Sequence, residues 1–315
     1  MTAAPEAARI RSKQIDSRAE AVAGYSFVAI PMAFFLVLQI GVLFYAAWIS
    51  VWNWNIRSGP VAFEGLGNFE RMLNDPIFQT AIKNTLYYAI VWVPLTMAIG
   101  LFLAVIVNQK IRGQTFFRAS FYFPAIASSA AITVLWIFLV WPNGLFNELR
   151  GALGLNPLFE FLGYGPNHNW IGDYRTALNS VIILNAWTTS GTFMLFYLAS
   201  LQSISNEGYE AGAIDGPTPW QAFRHITFPL LKPGHYFVAT VGVIGALQMF
   251  DQARIAGGTD GAPAYSLMTI VLYLYNALIQ QIDPGYAAAV GIVLFIIIFG
   301  ATLIQRRLFG GAPAW

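Results

Sequence analysis

The chain has 315 residues, of which 57% are hydrophobic, 16% aromatic and only 10% charged, with a mean hydropathy of +0.57. A soluble domain does not need so apolar a composition, so most of the chain has lipid as its solvent. A formal net charge of +2, no cysteine and three scattered histidines, His168, His225 and His235, argue against a nucleic-acid partner, disulfides, thiolate chemistry and a zinc site.

Taken in chain order, Arg9, Arg11, Lys13 and Arg18 precede the first apolar stretch. The charge-free run from Ala21 to Ile56 is far longer than the roughly 7–15 residues of a signal-peptide core, so it reads as an uncleaved span. A helix needs roughly 20 apolar residues to cross about 30 Å of hydrocarbon with its backbone satisfied. Windows of this kind are Gly24–Val51, Asn84–Asn108, Ser120–Trp141, Ala177–Leu201, Gly234–Phe250 and Tyr286–Gln305. A seventh uncharged window is Ala264–Gln281.

Six spans leave eleven basic residues on the side of the N-terminus: Arg9, Arg11, Lys13, Arg18, Lys110, Arg112, Arg118, Arg224, Lys232, Arg306 and Arg307. The other side holds six, Arg57, Arg71, Lys83, Arg150, Arg175 and Arg254. The positive-inside bias therefore puts both termini in the cytoplasm. A seventh span would carry Arg306 and Arg307 outside, so Ala264–Gln281 is expected to be interfacial or partly inserted. Trp48, Trp52, Trp54, Trp136, Trp141 and Tyr286 sit near helix ends, as aromatic belts or as packing residues. The outer loop from Pro142 to Asp173 is not expected to form an independent domain, and no strand-based fold, internal repeat or broken helix is expected. The expectation is an all-α integral membrane protein with a cytoplasmic tail over residues 1–23, a membrane domain over 24–310 and a short tail over 311–315.

Polar residues inside spans are costly and tend to face a cavity or the bundle interior. In the fourth span Asn185, Thr188, Thr189 and Thr192 recur at i, i+3, i+4 and i+7, one helical face. In the fifth, Gly245, Gln248, Met249 and Gln252 share a face in the same way, with Gly242 a turn earlier. Neutral amides and hydroxyls suit a polyhydroxylated solute. Such groups also serve as glue between helices, and both readings stand. Asp251, at the outer end of the fifth span, reads as a solvated interfacial charge. No Lys or Arg lies deep in a span to pair with a phosphate, which favours an uncharged sugar over glycerol phosphate.

Between these two spans lies the inner loop 202–233. Ser205 or Asn206 can cap a first short helix, with Glu207 and Glu210 where carboxylates complement the dipole. Gly216 and Pro217 stop it. Thr218-Pro219-Trp220-Gln221 is a capping box that starts a second, and Pro229 and Pro233 block continuation into the fifth span.

This loop resembles the EAA motif of permease subunits in binding-protein-dependent ABC importers, E-A-A, three residues, G, nine residues, I-x-L-P. Glu210, Ala211 and Gly212 occupy the first three positions, Gly216 the glycine, and Ile226, Phe228 and Pro229 the close. Gly212, Pro217 and Phe228 depart from the usual residues while the spacing is intact. Leu198–Ser205, Gln248–Gly258 and Gly285–Phe295 are similar to the flanking stretches of the MalF/UgpA-type sugar permeases. The MalG-type glycine-rich tail is missing, which points to the MalF-like half of the pair.

The resemblance implies the MalF/MetI-like permease fold and residence in the bacterial cytoplasmic membrane. It implies that Glu210, Ala211, Gly212, Asp215, Gly216, Phe223, Ile226 and Pro229 couple the chain to a cleft in a separate ATPase dimer. ATP and magnesium would sit on that partner, and this chain would bind no cofactor and catalyse nothing. Further implied partners are a second, MalG/UgpE-like permease, an extracytoplasmic solute-binding protein and a sugar-like solute, in a site lined by the helices flanking the loop.

A secondary transporter acting alone is the rival from another class, expected to show inverted repeats, broken helices or intramembrane carboxylates. A channel would leave the EAA spacing unexplained. No H-E-x-x-H, G-x-S-x-G or phosphate-binding G-x-x-x-x-G-K-[ST] occurs, so neither a membrane hydrolase nor the ATPase itself is indicated.

Overall fold

The computed structural model describes residues 17–109, 112–205 and 218–309. The tail residues 1–16 and 310–315 and most of the loop centre, with Asn206, Glu207, Glu210, Ala211, Gly212, Asp215, Gly216 and Pro217, lie outside the described residues. The chain divides into two units, Met1–Trp48 and Ile49–Trp315.

The first unit is helical: α1 (Ser17–Phe35) passes through a π-helical stretch, Leu36–Gly41, into α2 (Val42–Ile49). Together they supply the first apolar helix, Glu20–Ile49.

The second unit opens on a feature not expected from the sequence, a two-stranded antiparallel hairpin of β1 (Trp52–Asn55) and β2 (Gly59–Phe63). Asn55 makes the turn, its Oδ1 accepting from the Arg57 and Ser58 amides at 2.9 and 3.3 Å, while Gly59 takes φ +78°. Asn side chains that fold back on their own backbone are a turn device.

After α3 (Gly67–Asn74), α4 (Pro76–Asn108) is 33 residues long. At 1.5 Å per residue it measures about 50 Å, against about 30 Å of hydrocarbon. It therefore begins eight residues before the expected Asn84. Asp75 caps it, with Oδ1 accepting from Ile77 N at 2.7 Å, and Pro76 sits at the first helical position, where a missing N–H costs nothing.

The third apolar stretch is broken into α5 (Gln114–Ile126) and α6 (Ser129–Leu139), bent by 94°. Pro124 in the last turn of α5 removes a ladder hydrogen bond there. Two short helices follow in the outer loop, α7 (Leu145–Ala152) and α8 (Asn156–Phe161). α9 (Ala177–Gln202) then packs along α4 and α5. Close approach is set by glycine: a Cβ on Gly100 would lie 2.7 Å from Phe193 Cβ, and one on Gly191 would collide with the Phe121 and Tyr122 backbone.

The described half of the inner loop is a helix, α10 (Pro219–Leu230), bent by 65° from the helix that follows. Leu231 sits at the bend, between Pro229 and Pro233, as those two prolines require. Past it run α11 (Lys232–Leu247) and α12 (Asp251–Gly257).

The seventh window contains a short apolar helix, Ile270–Gln280, too short to cross. It is pinned to α4, with Asn84 Nδ2 donating to the Tyr265 and Met268 carbonyls at 2.8 and 3.0 Å and Thr85 Oγ1 accepting from Ile270 N at 3.0 Å. The last helix, α13 (Pro284–Leu308), is capped by Asp283.

Among the described residues four helices are long and apolar enough to cross a membrane, or up to six if each bent pair counts as one span. The bend before α11 falls where Pro229 and Pro233 were expected to stop the loop helix, whereas the break between α5 and α6 was not expected, so the lack of broken helices does not separate this chain from a secondary transporter.

Candidate translocation cavity

A cavity of about 420 Å³ lies among α4, α9, α11 and the start of α12. Its wall includes all eight residues of the two predicted stripes: Asn185, Thr188, Thr189 and Thr192 from α9, and Gly245, Gln248, Met249 and Gln252 from α11 and beyond. Both faces point into one space because α9 and α11 are neighbours, joined at their inner ends by Gly234, whose Cβ position lies 2.6 Å from Ser200 Oγ.

The eight do not play one role. Asn185 is 5% exposed and its Nδ2 donates to Tyr88 OH at 2.7 Å, a bond between α9 and α4. The Gln252 amide donates to Ser129 Oγ at 2.9 Å, tying α12 to the first residue after the break between α5 and α6. Met249 is buried and its carbonyl accepts from Thr269 Oγ1 at 2.9 Å. Thr188 Oγ1 donates to the Asn185 carbonyl at 3.3 Å. The contacts of Asn185, Gln252 and Met249 are the glue between elements that sequence allowed, while that of Thr188 stays within α9.

Thr189 and Thr192 are half-buried and Gln248 is exposed, and among the described residues their side chains carry no hydrogen bond. A Cβ on Gly245 would meet nothing within 4 Å, so this position adds room to the cavity.

The rest of the wall is aromatic and went unread in the sequence. Tyr88 and Trp92 stack at 5.6 Å with planes 13° apart, and Phe193 meets Trp92 edge-on at 5.9 Å. Phe196 and Phe250 complete the apolar side. The signal was present as the i, i+4 pair Tyr88 and Trp92 on the face of α4 toward α9, yet an aromatic pair in an apolar window has the pattern of ordinary core. Asp251, expected as a solvated interfacial charge, is exposed at the start of α12 and also borders the cavity. It is the charged residue in the lining, with no Lys or Arg.

The 16-residue α11 runs from the inner loop to this wall. There the capping box is formed: Thr218 Oγ1 accepts from Gln221 N at 3.3 Å, and Gln221 Oε1 accepts from Thr218 N at 2.8 Å. Phe223 and Ile226 are half-buried and Pro229 is exposed. Phe223 stacks on Trp220 at 5.7 Å and meets Phe228 at 6.2 Å, and Phe228 lies 4.5 Å from the His235 ring. His235, at the start of α11, shares a 3.0 Å hydrogen bond with Tyr197 OH on α9. An aromatic chain therefore runs from the loop helix onto the helix that lines the cavity.

Residues 96–310 match the family described as binding-protein-dependent transport system inner membrane component. The chain is 33% identical over 292 residues to the arabinooligosaccharides transport system permease protein AraP of Bacillus subtilis, covering 91% of this chain and 90% of that protein. It is 32% identical over 286 residues to the lactose transport system permease protein LacF of Rhizobium radiobacter, covering 90% and 93%. Its fold is similar to a chain of a bacterial ABC transporter involved in the import of the acidic polysaccharide alginate, with a TM-score of 0.73 at 20% identity, covering 92% of this chain and 97% of that one. With a match over residues 96–310 and relatives of this identity along nearly its whole length, the chain belongs to the family of inner-membrane permease components of binding-protein-dependent ABC transporters.

Proposed function

We propose that this chain is one permease half of an ATP-driven importer carrying a sugar or oligosaccharide across the bacterial cytoplasmic membrane. The observation that carries the reading is the cavity: free hydroxyl and amide groups of Thr189, Thr192 and Gln248 face a wall of Tyr88, Trp92, Phe193 and Phe196. A sugar ring has polar edges and an apolar face, and this pairing meets both. The sugars named for the transport systems of the relatives AraP and LacF, arabinooligosaccharides and lactose, support the same solute class. A phosphorylated solute is disfavoured, since the charge in the lining is the Asp251 carboxylate.

The bent pair α5–α6 serves as one span and α11 as another, giving six with α10 left in the cytoplasmic loop, and both termini are cytoplasmic as the basic residues dictate. A second permease closes the other half of the cavity, a solute-binding protein delivers the sugar outside, and an ATPase dimer holds ATP and magnesium inside. The segment from Glu210 through Gly216 to Pro229 docks on that ATPase. Closure of the ATPase moves α10, and the rigid run of α11 carries the movement to Gly245 and Gln248. Nucleotide drives transport to the extent that it discriminates between the two states of the permease pair.

The test is uptake of radiolabelled oligosaccharide into vesicles reconstituted with both permeases and the ATPase, with binding protein outside and ATP sealed inside. Uptake should need both protein and nucleotide. Accumulation driven by an ion gradient, indifferent to ATP, would make the chain a secondary transporter.

A further inference from the structure

The outer loop holds a helix that buries two polar side chains and exposes a leucine stripe, beside which Glu148 is also exposed. On α7 the polar residues Asn147 and Arg150 face inward, 5% and 2% exposed. Arg150 Nη2 donates to the Gly165 and Pro166 carbonyls at 2.6 Å each, and its Nε donates to Asn156 Oδ1 at 3.0 Å. The guanidinium also lies over the Phe159 ring, 5.0 Å from its centre. The apolar residues on and just beyond α7 face out: Leu145, Leu149 and Leu153, at i, i+4 and i+8, share one exposed stripe, with Leu153 at 70%. On and just beyond α8, Leu158, Phe161 and Leu162 are likewise exposed, Phe161 at 86%.

We propose that the outward face of the α7–α8 hairpin is embedded in the outer leaflet, with lipid acyl chains as its occupant. Three features select lipid. The apolar exterior is continuous with the preceding membrane helix, because Phe138 and Trp141, at and just past the end of α6, are exposed in the same way. Only five residues separate the end of α6 from the start of α7, so α7 begins at the depth where that helix ends. The one cation of the hairpin is drawn inward and bonded to carbonyls, as lipid contact demands and contact with an acidic protein surface would not, and the exposed carboxylates of Glu148 and Glu160 lie off the leucine and phenylalanine stripes, where headgroups and water can reach them. A short helix with a Leu/Phe stripe lying in the interface plane is a physically stable arrangement.

Placement in the outer rather than the inner leaflet rests on the orientation proposed above; lipid contact does not. The absence of cysteine allows single thiols at Leu149→Cys, Phe161→Cys and, as an exposed loop control, Asn167→Cys. Each is spin-labelled in the complete transporter in phospholipid nanodiscs, and its collisions with oxygen and with a water-soluble nickel chelate are compared. Labels at 149 and 161 should collide with oxygen at least several-fold more than with the chelate, and the label at 167 should show the reverse. Chelate access at 149 and 161 equal to that at 167 would overturn lipid contact. So would protection from both reagents that is lifted only by omitting the second permease or the binding protein. Separately, a membrane-impermeant thiol reagent applied from outside intact cells reports the side of Asn167→Cys. A wrong side there would overturn the orientation and leave the collision result standing.

Discussion

The outer cap and the translocation cavity both gather polar side chains within apolar surroundings, and they differ in how far their hydrogen-bonding groups are used. In the cap, Asn147 Nδ2 donates to the carbonyls of Trp141, Pro142 and His168 at 2.9–3.2 Å, and its Oδ1 accepts from Trp170 Nε1 at 2.9 Å. In the cavity, Thr189, Thr192 and Gln248 carry no side-chain bond among the described residues, while Asn185 and Gln252 are spent on neighbouring helices. A cluster whose bonds go mostly to its own loop holds that backbone in place. An unsaturated one, open to a space, is ready for a ligand.

Stability should therefore respond sharply in the cap and weakly in the cavity. Arg150→Ala removes the donor to the partly buried Gly165 and Pro166 carbonyls and to the Asn156 side-chain oxygen, and bonds to a charged group contribute about 1.5–3 kcal/mol each. A loss of about 3 kcal/mol or more is expected, read as a fall in the melting temperature of the detergent-purified chain. Thr192→Val should change melting by no more than about 0.5 kcal/mol. Equal effects from the two would dissolve the distinction.

Glycine sharpens the same contrast at helix contacts. Gly191→Ala drives a methyl into the Phe121 and Tyr122 backbone, whereas Gly245→Ala meets nothing within 4 Å. The first should destabilise by about 1–3 kcal/mol, as overpacking does, and the second should leave melting unchanged. A thermal melt of each variant decides it.

Function should show the opposite ranking. Thr189→Val, Thr192→Val and Gln248→Leu each remove one hydrogen-bonding group from the cavity, about 1 kcal/mol against a sugar hydroxyl. That corresponds to roughly five-fold in the half-saturating concentration for uptake, with melting unaltered. Wild-type uptake in all three would mean that the stripe serves only helix packing.

These contrasts were partly legible in the sequence, and the reasons are physical. The polar stripes declared themselves because polar residues inside a span are costly and their spacing is helical. The capping box at Thr218 and the stops at Pro229 and Pro233 are local chemistry, and they formed where the residues stood. The bend between α5 and α6 was hidden because hydropathy ignores direction, and Pro124 lay unremarked inside an apolar window. The hairpin was missed for a similar reason: Trp52-Asn53-Trp54-Asn55 alternates with the period of a strand, but it sits in a charge-free run that reads as the end of a helix. The aromatic half of the cavity is tertiary, since Tyr88 and Trp92 become a wall only when Phe193 arrives from 100 residues later. Glu210 and Gly216, the residues on which the family resemblance first rested, lie outside the described structure, and their spacing alone carries them.

The mildest expected effect returns to the cap and concerns its response to acid. His168 shares a 3.1 Å hydrogen bond with Thr176 Oγ1, whose own hydrogen goes to the Trp170 carbonyl at 3.0 Å, so His168 Nε2 is the donor. Burial holds the imidazole below its ordinary pKa of 6.5, against the opposing pull of Asp173 at 3.8 Å. A base whose pKa is depressed by folding binds fewer protons folded than unfolded, so the cap keeps its full stability above about pH 6.5 and loses it as pH falls through the folded value. Asp173 does not add to this loss near neutrality, because its hydrogen bonds from Arg175 hold its carboxyl below the ordinary carboxylate range. Hydrogen exchange of the Trp170–Thr176 amides should therefore accelerate modestly, beyond the intrinsic chemical rate, between pH 7 and pH 5. His168→Gln, whose amide can still donate to Thr176 but does not titrate, should flatten that profile. If the variant keeps the wild-type acid response, the weak point lies elsewhere in the loop and the His168 account is wrong.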